Sequence, residues 1–386
     1  MKQTFFAVAL LLLSASVCAQ PKVITSATPG SNAERFTNMF DRTDGWLGAD
    51  GIYSIPMNGN DNWGSANKES STFWVFSDTI LGTANPETKR YNNPFRMVNH
   101  SAAILTDFDP MQEGYNMQFL YGRNADGTQT NLLNGRYWLQ DGIAIGNKIF
   151  FTAFEFDNRW KPMRIHLVTL PFSLPNTLDW ENLTITENFP LFAENEQYQL
   201  LYGAGILDHS AKDGYIYVYG YRDTLRGGRK HLVAARVKPE SFADAEQWRF
   251  WNGTDWVTDM TETFRDEATL AERVSTELSV TPIGNDRYLL VFTQDVMSNR
   301  KAYKVGSSPI GPFGETVVFY EAPEPRELLD SEGGQQIRVY NAKAHPHLSA
   351  PGLLLISYNV NRPGFLPRYT FQYRPRFIEL RISEIE

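Results

Sequence analysis

Five stretches of this chain repeat one unit, a strand-like segment with a polar centre followed, after a short turn, by an aromatic or aliphatic strand. They are WLGADGIYSI then TFWVFSDTIL, YWLQDGIAI then KIFFTAFEFD, LYGAGILDHS then YIYVYGYRD, STELSVTPIG then YLLVFTQD, and KAHPHLSAPG then LLLISYNVN. The second strands begin near Phe73, Ile149, Tyr215, Tyr288 and Leu353, a period of about 65 to 75 residues that suits one four-stranded sheet with its loops. Repetition of a unit that cannot bury its own faces predicts a closed ring, an all-β five-bladed β-propeller. The second strands are continuous apolar runs rather than alternating ones, as expected of sheets covered on both faces by their neighbours. If the first strand of each unit lines the central axis, Asp50, Asp141 and Glu277 converge there from different blades.

No long stretch keeps a 3.6-residue apolar period, and Phe242 to Phe250 and Met260 to Ala271 allow one or two helical turns at most. The fifth unit, with Arg376 to Ile382 as its last strand, lacks a fourth. A segment near Val23 to Thr25 or Phe36 to Phe40 is expected to complete it, which would remove an exposed sheet edge. Residues 20–386 are therefore read as a single domain. Residues 1–19 read as an export signal, with Lys2, an apolar run from Phe5 to Leu13, and small residues at Val17-Cys18-Ala19 before Gln20. Val17 fits a lipoprotein cleavage box poorly, so lipid anchoring at Cys18, the only cysteine, is not expected. The expected location is periplasmic or extracellular, without disulfides.

No later segment approaches the 18 or more apolar residues that a bilayer span requires. The chain carries 36 Lys and Arg against 44 Asp and Glu, with no basic run, which sets aside nucleic-acid binding through phosphate neutralisation. A monomer is expected. Aromatic residues make up 13%, and such flat side chains suit sugar faces as well as cores.

Two carboxylates flanking a glycosidic bond are the minimum for its hydrolysis, one protonating the leaving oxygen while the other attacks the anomeric carbon or activates water. Four acids qualify. Asp50 sits in Gly48-Ala49-Asp50-Gly51, Asp78 ends an apolar strand in Phe76-Ser77-Asp78-Thr79, Asp141 repeats the Asp-Gly pair, and Glu277 lies among Ser275, Thr276 and Ser279. Each also has a plainer reading: Asp-Gly pairs make turns, a strand-end aspartate caps one, and Glu277 has Arg273 or Lys343 as a partner. Trp46, Tyr53, Trp138 and Tyr202 are candidate sugar platforms. Asn99, His100, Arg222 and Arg226 are candidate contacts to hydroxyl or uronate groups, and His345 a polar group near the axis. His345 and His347, two residues apart in a strand, would share one face but supply only two metal ligands, so no cofactor is expected from them.

The GADG segment followed by FSDT, and later SSPIGPFGE at Ser307 to Glu315, resemble the five-bladed β-propeller glycoside hydrolases, the arabinanase, invertase and levansucrase group. The likeness is greatest to secreted bacterial relatives with an early Asp-Gly on the first strand and an Asp-Thr on the second, among which endo-D-arabinanases are found. The resemblance implies an exported hydrolase of furanosidic or related linkages, with Asp50 as nucleophile or base and Asp78 as acid. It also implies that Glu277 or Asp141 supports or replaces that acid, and it allows a structural axial cation such as calcium near His345. Ser77 and Ala49 depart from the pattern of those relatives. The alternative is a propeller that binds an oligo- or polysaccharide without turnover.

Overall fold

The computed structural model describes residues 27–28, 30–224, 228–324, 337–362 and 367–382. The export signal, Cys18, the candidate strand from Val23 to Thr25 and Arg226 lie outside the described residues. The chain is all-β; among the described residues seven antiparallel sheets form, and the five of four or more strands follow one another in sequence order. The first sheet runs Tyr53–Pro56, Thr72–Phe76, Ser101–Thr106, Asn116–Leu120, and the second Tyr137–Ile145, Lys148–Phe156, Pro162–Ser173, Thr184–Phe189. The third contains Tyr198–Asp208, Ile216–Thr224, Lys230–Val237 and Arg249–Trp251. The fourth runs Leu278–Pro282, Tyr288–Thr293, Arg300–Gly306, Val317–Glu321.

The fifth sheet places Arg338–Ala344, Leu353–Asn361 and Tyr373–Arg381 in order, and Ala27–Thr28 pairs with the last of these. An N-terminal strand thus completes this sheet, slightly later in the chain than Val23 to Thr25. The other candidate, Phe36 to Phe40, is not a strand: Ser31–Met39 is a helix whose buried Ala33, Phe36 and Met39 follow a helical period. Phe36 and Phe40 pack on Phe377 with ring centroids 5.2 and 5.5 Å apart, so the helix is pinned to the fifth sheet.

The innermost strands neighbour one another in chain order. Between the second and third sheets, Asp141 Oδ2 accepts from Ile206 N–H at 2.7 Å, and between the fourth and fifth, Ser279 Oγ accepts from Ala344 N–H at 2.8 Å. Ser54 Oγ lies 2.7 Å from His345 Nδ1, bringing the fifth inner strand back against the first. The second strands are covered on both faces, Thr72–Phe76 and Tyr288–Thr293 being buried along their whole length.

The polar centre of the repeated unit has a structural cause. Register breaks fall between Leu139 and Gly142, between Tyr202 and Gly205, and between Tyr340 and Lys343, two unpaired residues each time. Such bulges turn side chains out of the pleat. In the first unit the break is larger: Asp44–Ala49 leaves the first sheet to pair with Thr79–Thr83, and Tyr53–Pro56 pairs with Thr72–Phe76. Asp50 and Asp78 therefore face each other across two interrupted strands, joined by Ser77 N–H to Asp50 O (2.8 Å) and Asp50 N–H to Asp78 O (3.1 Å). Gly51 makes this possible: its φ is +61°, and a Cβ there would lie 2.5 Å from Ser77 Oγ.

Candidate active site

These breaks open onto a cavity of about 420 Å³ lined by Asp50, Asp78 and Glu277, with Trp138, Tyr340 and Asn341 beside them. Each carboxyl has its own supports. Tyr340 Oη donates to Asp50 Oδ2 at 2.8 Å and itself accepts from Asn361 Nδ2 at 3.2 Å. Asp78 Oδ1 accepts from Trp138 Nε1 at 3.0 Å and from Asn99 Nδ2 at 3.3 Å. Glu277 Oε1 accepts from Asn341 Nδ2 at 2.6 Å, and its Oε2 is ion-paired with Lys343. Asn341 adopts a left-handed φ of +60°, which aims its amide at the carboxylate.

The three environments divide the acids electrically. Burial pushes Asp50 well above the usual carboxylate range, and the charges of Asp78 and Glu277 push it further. Burial also raises Asp78, but the Trp138 and Asn99 donors oppose it. Glu277 is raised by burial against the pull of the Lys343 ammonium. All three are raised by burial and each carries groups that oppose the rise, Tyr340 and Tyr373 in the case of Asp50, while Asp50 alone is raised further by the charges of the other two.

Asp141 stands apart from this group. It lines a smaller cavity of about 40 Å³ with Ser54, Lys343 and His345, room for on the order of three water molecules. Both its oxygens are taken by backbone N–H groups, Gly142 at 2.9 Å and Ile206 at 2.7 Å, so it ties two sheets together. Burial raises it to about 7.

Of the residues expected to bind substrate, Trp138 lines the larger cavity and Asn99 touches Asp78. The others are held elsewhere. Trp46 is core, its Nε1 donating to Ser101 Oγ at 3.2 Å while its ring stacks on Phe119 at 4.6 Å. His100 is fully buried and bonded to the backbone of Tyr137 and Leu133, and burial pulls it down to about 4. Tyr202 is buried with its hydroxyl 3.0 Å from Thr263 Oγ1, and Arg222 is buried against Asp266, Thr269 and the Phe264 carbonyl. His345 is bonded to Ser54 and Ser357 (2.7 and 2.8 Å) on the smaller cavity. His347 lies in a 3-10 turn, Pro346–Leu348, and bonds Asp61 and Thr72, so the two histidines do not present a common face. No group of three or more His, Cys, Asp or Glu suited to a metal occurs among the described residues.

Sequence reading missed Tyr340 and Asn341 as site residues, because it began the fifth inner strand at Lys343 rather than Arg338; Lys343, offered there as a partner of Glu277, is indeed paired with it. It also missed Trp160 and the half-buried ion pair of Asp223 with Lys230 on the cavity wall. No described helix is long and apolar enough to cross a membrane.

A family model described as Domain of unknown function (DUF5005) matches residues 33–382. A search of curated proteins finds no match. Among solved structures, a candidate hydrolase from Bacteroides ovatus aligns over 95% of this chain and 97% of its own, with 21% identity and a TM-score of 0.68, a likeness of fold. A GH43_1 enzyme from Xanthomonas citri complexed with xylotriose aligns over 92% and 94% at 12% identity and TM-score 0.45. The α-L-arabinofuranosidase PaAbf62A from Podospora anserina, in complex with cellotriose, aligns over 88% and 98% at 10% identity and TM-score 0.39.

Proposed function

The chain belongs to the family described as Domain of unknown function (DUF5005), and we propose that it is an exported, monomeric glycoside hydrolase whose five sheets are the blades of a propeller. One observation carries the reading: Asp50 and Asp78, both raised by burial, meet at facing strand breaks on a cavity that also holds Glu277. A cavity of about 420 Å³ is of the size that takes a small ligand or the end of a chain.

In this mechanism the pair Asp50 and Asp78 shares a proton, which rests on Asp50. Placing the shared proton on Asp50 reverses the roles that resemblance alone implies. Asp50 donates its proton to the glycosidic oxygen as the bond to the anomeric carbon breaks, and the Tyr340 hydroxyl supports the carboxylate left behind. Asp78 completes the reaction as the anion, either attacking the anomeric carbon or taking the proton of the water that adds there. Glu277, paired with Lys343, faces the positive charge that develops on the sugar ring. The resemblance of GADG and FSDT to arabinanase-group motifs makes furanosidic, arabinan-like linkages the first substrates to try.

The test is product release from arabinan, arabinogalactan, fructan and pectic fragments by the protein and by its Asp50→Asn and Asp78→Asn variants. The expected result is release from at least one polymer, lost in both variants while they stay folded. Saccharide binding without release by the unmodified protein would instead establish a non-catalytic carbohydrate-binding propeller.

A further inference from the structure

The cavity's wall extends toward solvent through a residue that has no evident folding role. Trp160 sits in the turn between Lys148–Phe156 and Pro162–Ser173, is 52% exposed, and adopts a left-handed φ of +64°. That conformation is unfavourable for a bulky residue, and an exposed indole recovers little by burial. A glycine or asparagine would suit the turn better. The turn is nonetheless tightly made: the Asp157 carboxylate accepts from Arg159 and Lys161 N–H at 2.7 and 2.9 Å, and Trp160 N–H donates to Asp157 O at 3.1 Å.

The indole is also held in place. It stacks on Trp138 with centroids 5.6 Å apart and planes 18° from parallel, and on Phe156 at 4.9 Å and 20°. The Arg136 guanidinium lies 5.6 Å from its centroid. Trp138 in turn bonds Asp78 through Nε1 and stacks on Phe154 at 5.8 Å. A continuous aromatic wall therefore runs from the carboxylate pair to the mouth, and Trp160 and Trp138 both line the cavity that holds the acids.

We propose that Trp160 is a saccharide-stacking residue that receives a sugar unit one or more positions away from the bond being cut. The protein would accordingly select chains over single glycosides. The apolar faces of sugar rings stack on flat aromatic surfaces, and an indole already fixed by two neighbours loses little freedom when it binds. Its turn conformation and exposure are the strain and exposed apolar area that a binding role accounts for. The inference deepens the glycan-cleaving reading of the same site, but concerns binding alone.

The test uses the Asp50→Asn protein, with and without Trp160→Ala or Trp160→Phe, titrated by calorimetry with arabino-, fructo- and xylo-oligosaccharides of two to six residues. In at least one series, affinity should rise with chain length in the parent, fall about 10-fold for the longer chains in Trp160→Ala, and largely survive in Trp160→Phe. Chains too short to reach the indole should bind Trp160→Ala and the parent alike, a dependence on length that a purely structural tryptophan would not produce. If no chain binds the parent more tightly than Trp160→Ala, or if all lengths weaken equally, the assignment is wrong. Hydrolysis of the same oligosaccharides by the unmodified protein is scored separately: binding through Trp160 without cleavage would sink the catalytic reading and leave this one standing.

Discussion

Lys343→Met tests the electrostatics of the site through stability alone. The lysine is buried, ion-paired with Glu277 and 4.4 Å from the Tyr53 ring centroid. Methionine fills a similar volume against that ring but leaves the Glu277 carboxylate with the Asn341 amide as its one remaining strong donor. Removing one member of a buried pair costs about 3–5 kcal/mol, because the other charge stays desolvated. Glu277 can limit that cost by taking a proton, so the loss depends on pH. Its folded-state pKa already lies above the ordinary 4.5, and losing the ammonium raises it further. A carboxyl raised in this way contributes its stability fully below the unfolded value and loses it as pH rises through the folded one, at about 1.4 kcal/mol per pH unit. Lys343→Met should therefore lie close to the unmodified protein near pH 4.5 and fall progressively below it toward pH 8 in urea titrations. Adding Glu277→Gln removes the orphaned charge and should restore all but about 1 kcal/mol at pH 8. Parallel stability curves for Lys343→Met and the unmodified protein, or a double variant no better than the single one at pH 8, would refute the reasoning.

Other perturbations probe the same scaffold. Asp50→Asn should cut glycan hydrolysis roughly 10²–10⁴-fold, yet raise urea stability at pH 8 by about 1 kcal/mol or more, because Asp50 is raised and its ionisation weakens the fold as pH climbs; a gain at pH 4 of equal size would contradict this. Gly51→Ala, at φ +61° with its Cβ 2.5 Å from Ser77 Oγ, should cost about 1–3 kcal/mol and disturb Asp50 and Asp78 together, read by calorimetric melting and product release. Phe40→Ala should cost about 3–5 kcal/mol, since Phe40 joins the helix Ser31–Met39 to Trp46, Trp74 and Phe377. His100, lowered by burial to about 4, resists protonation when folded, so its contribution is present above the ordinary 6.5 and lost as pH falls toward 4, about 3 kcal/mol in all. His100→Asn should flatten that part of the urea stability profile.

The repeat exposed the sheets because its signal is long and redundant: the second strands begin within a residue of Phe73, Ile149, Tyr215, Tyr288 and Leu353. Asp50, Asp78 and Glu277 were legible for a different reason. An acid among apolar neighbours stands out in a sequence; Asp50 and Asp78 lie at the strand break of the first unit, Glu277 directly precedes its strand, and register breaks recur at the corresponding step of the second, third and fifth sheets. The same rule misled for Asp141, which occupies that step but spends both oxygens on backbone N–H groups of its own and the next sheet. A sequence marks the step; which side of the axis a side chain takes is decided by the neighbouring strand that meets it. Two of the aromatic candidates are taken elsewhere on a related ground. Trp46 and Tyr202 are as flat as Trp138, but they enter the space between sheets, where core packing takes them. Trp160, by contrast, lies in a polar hairpin turn, Asp157 to Lys161, where no apolar pattern draws notice. An indole in such a turn conflicts with local preference, and conflicts of that kind are where a sequence departs from what folding alone asks of it.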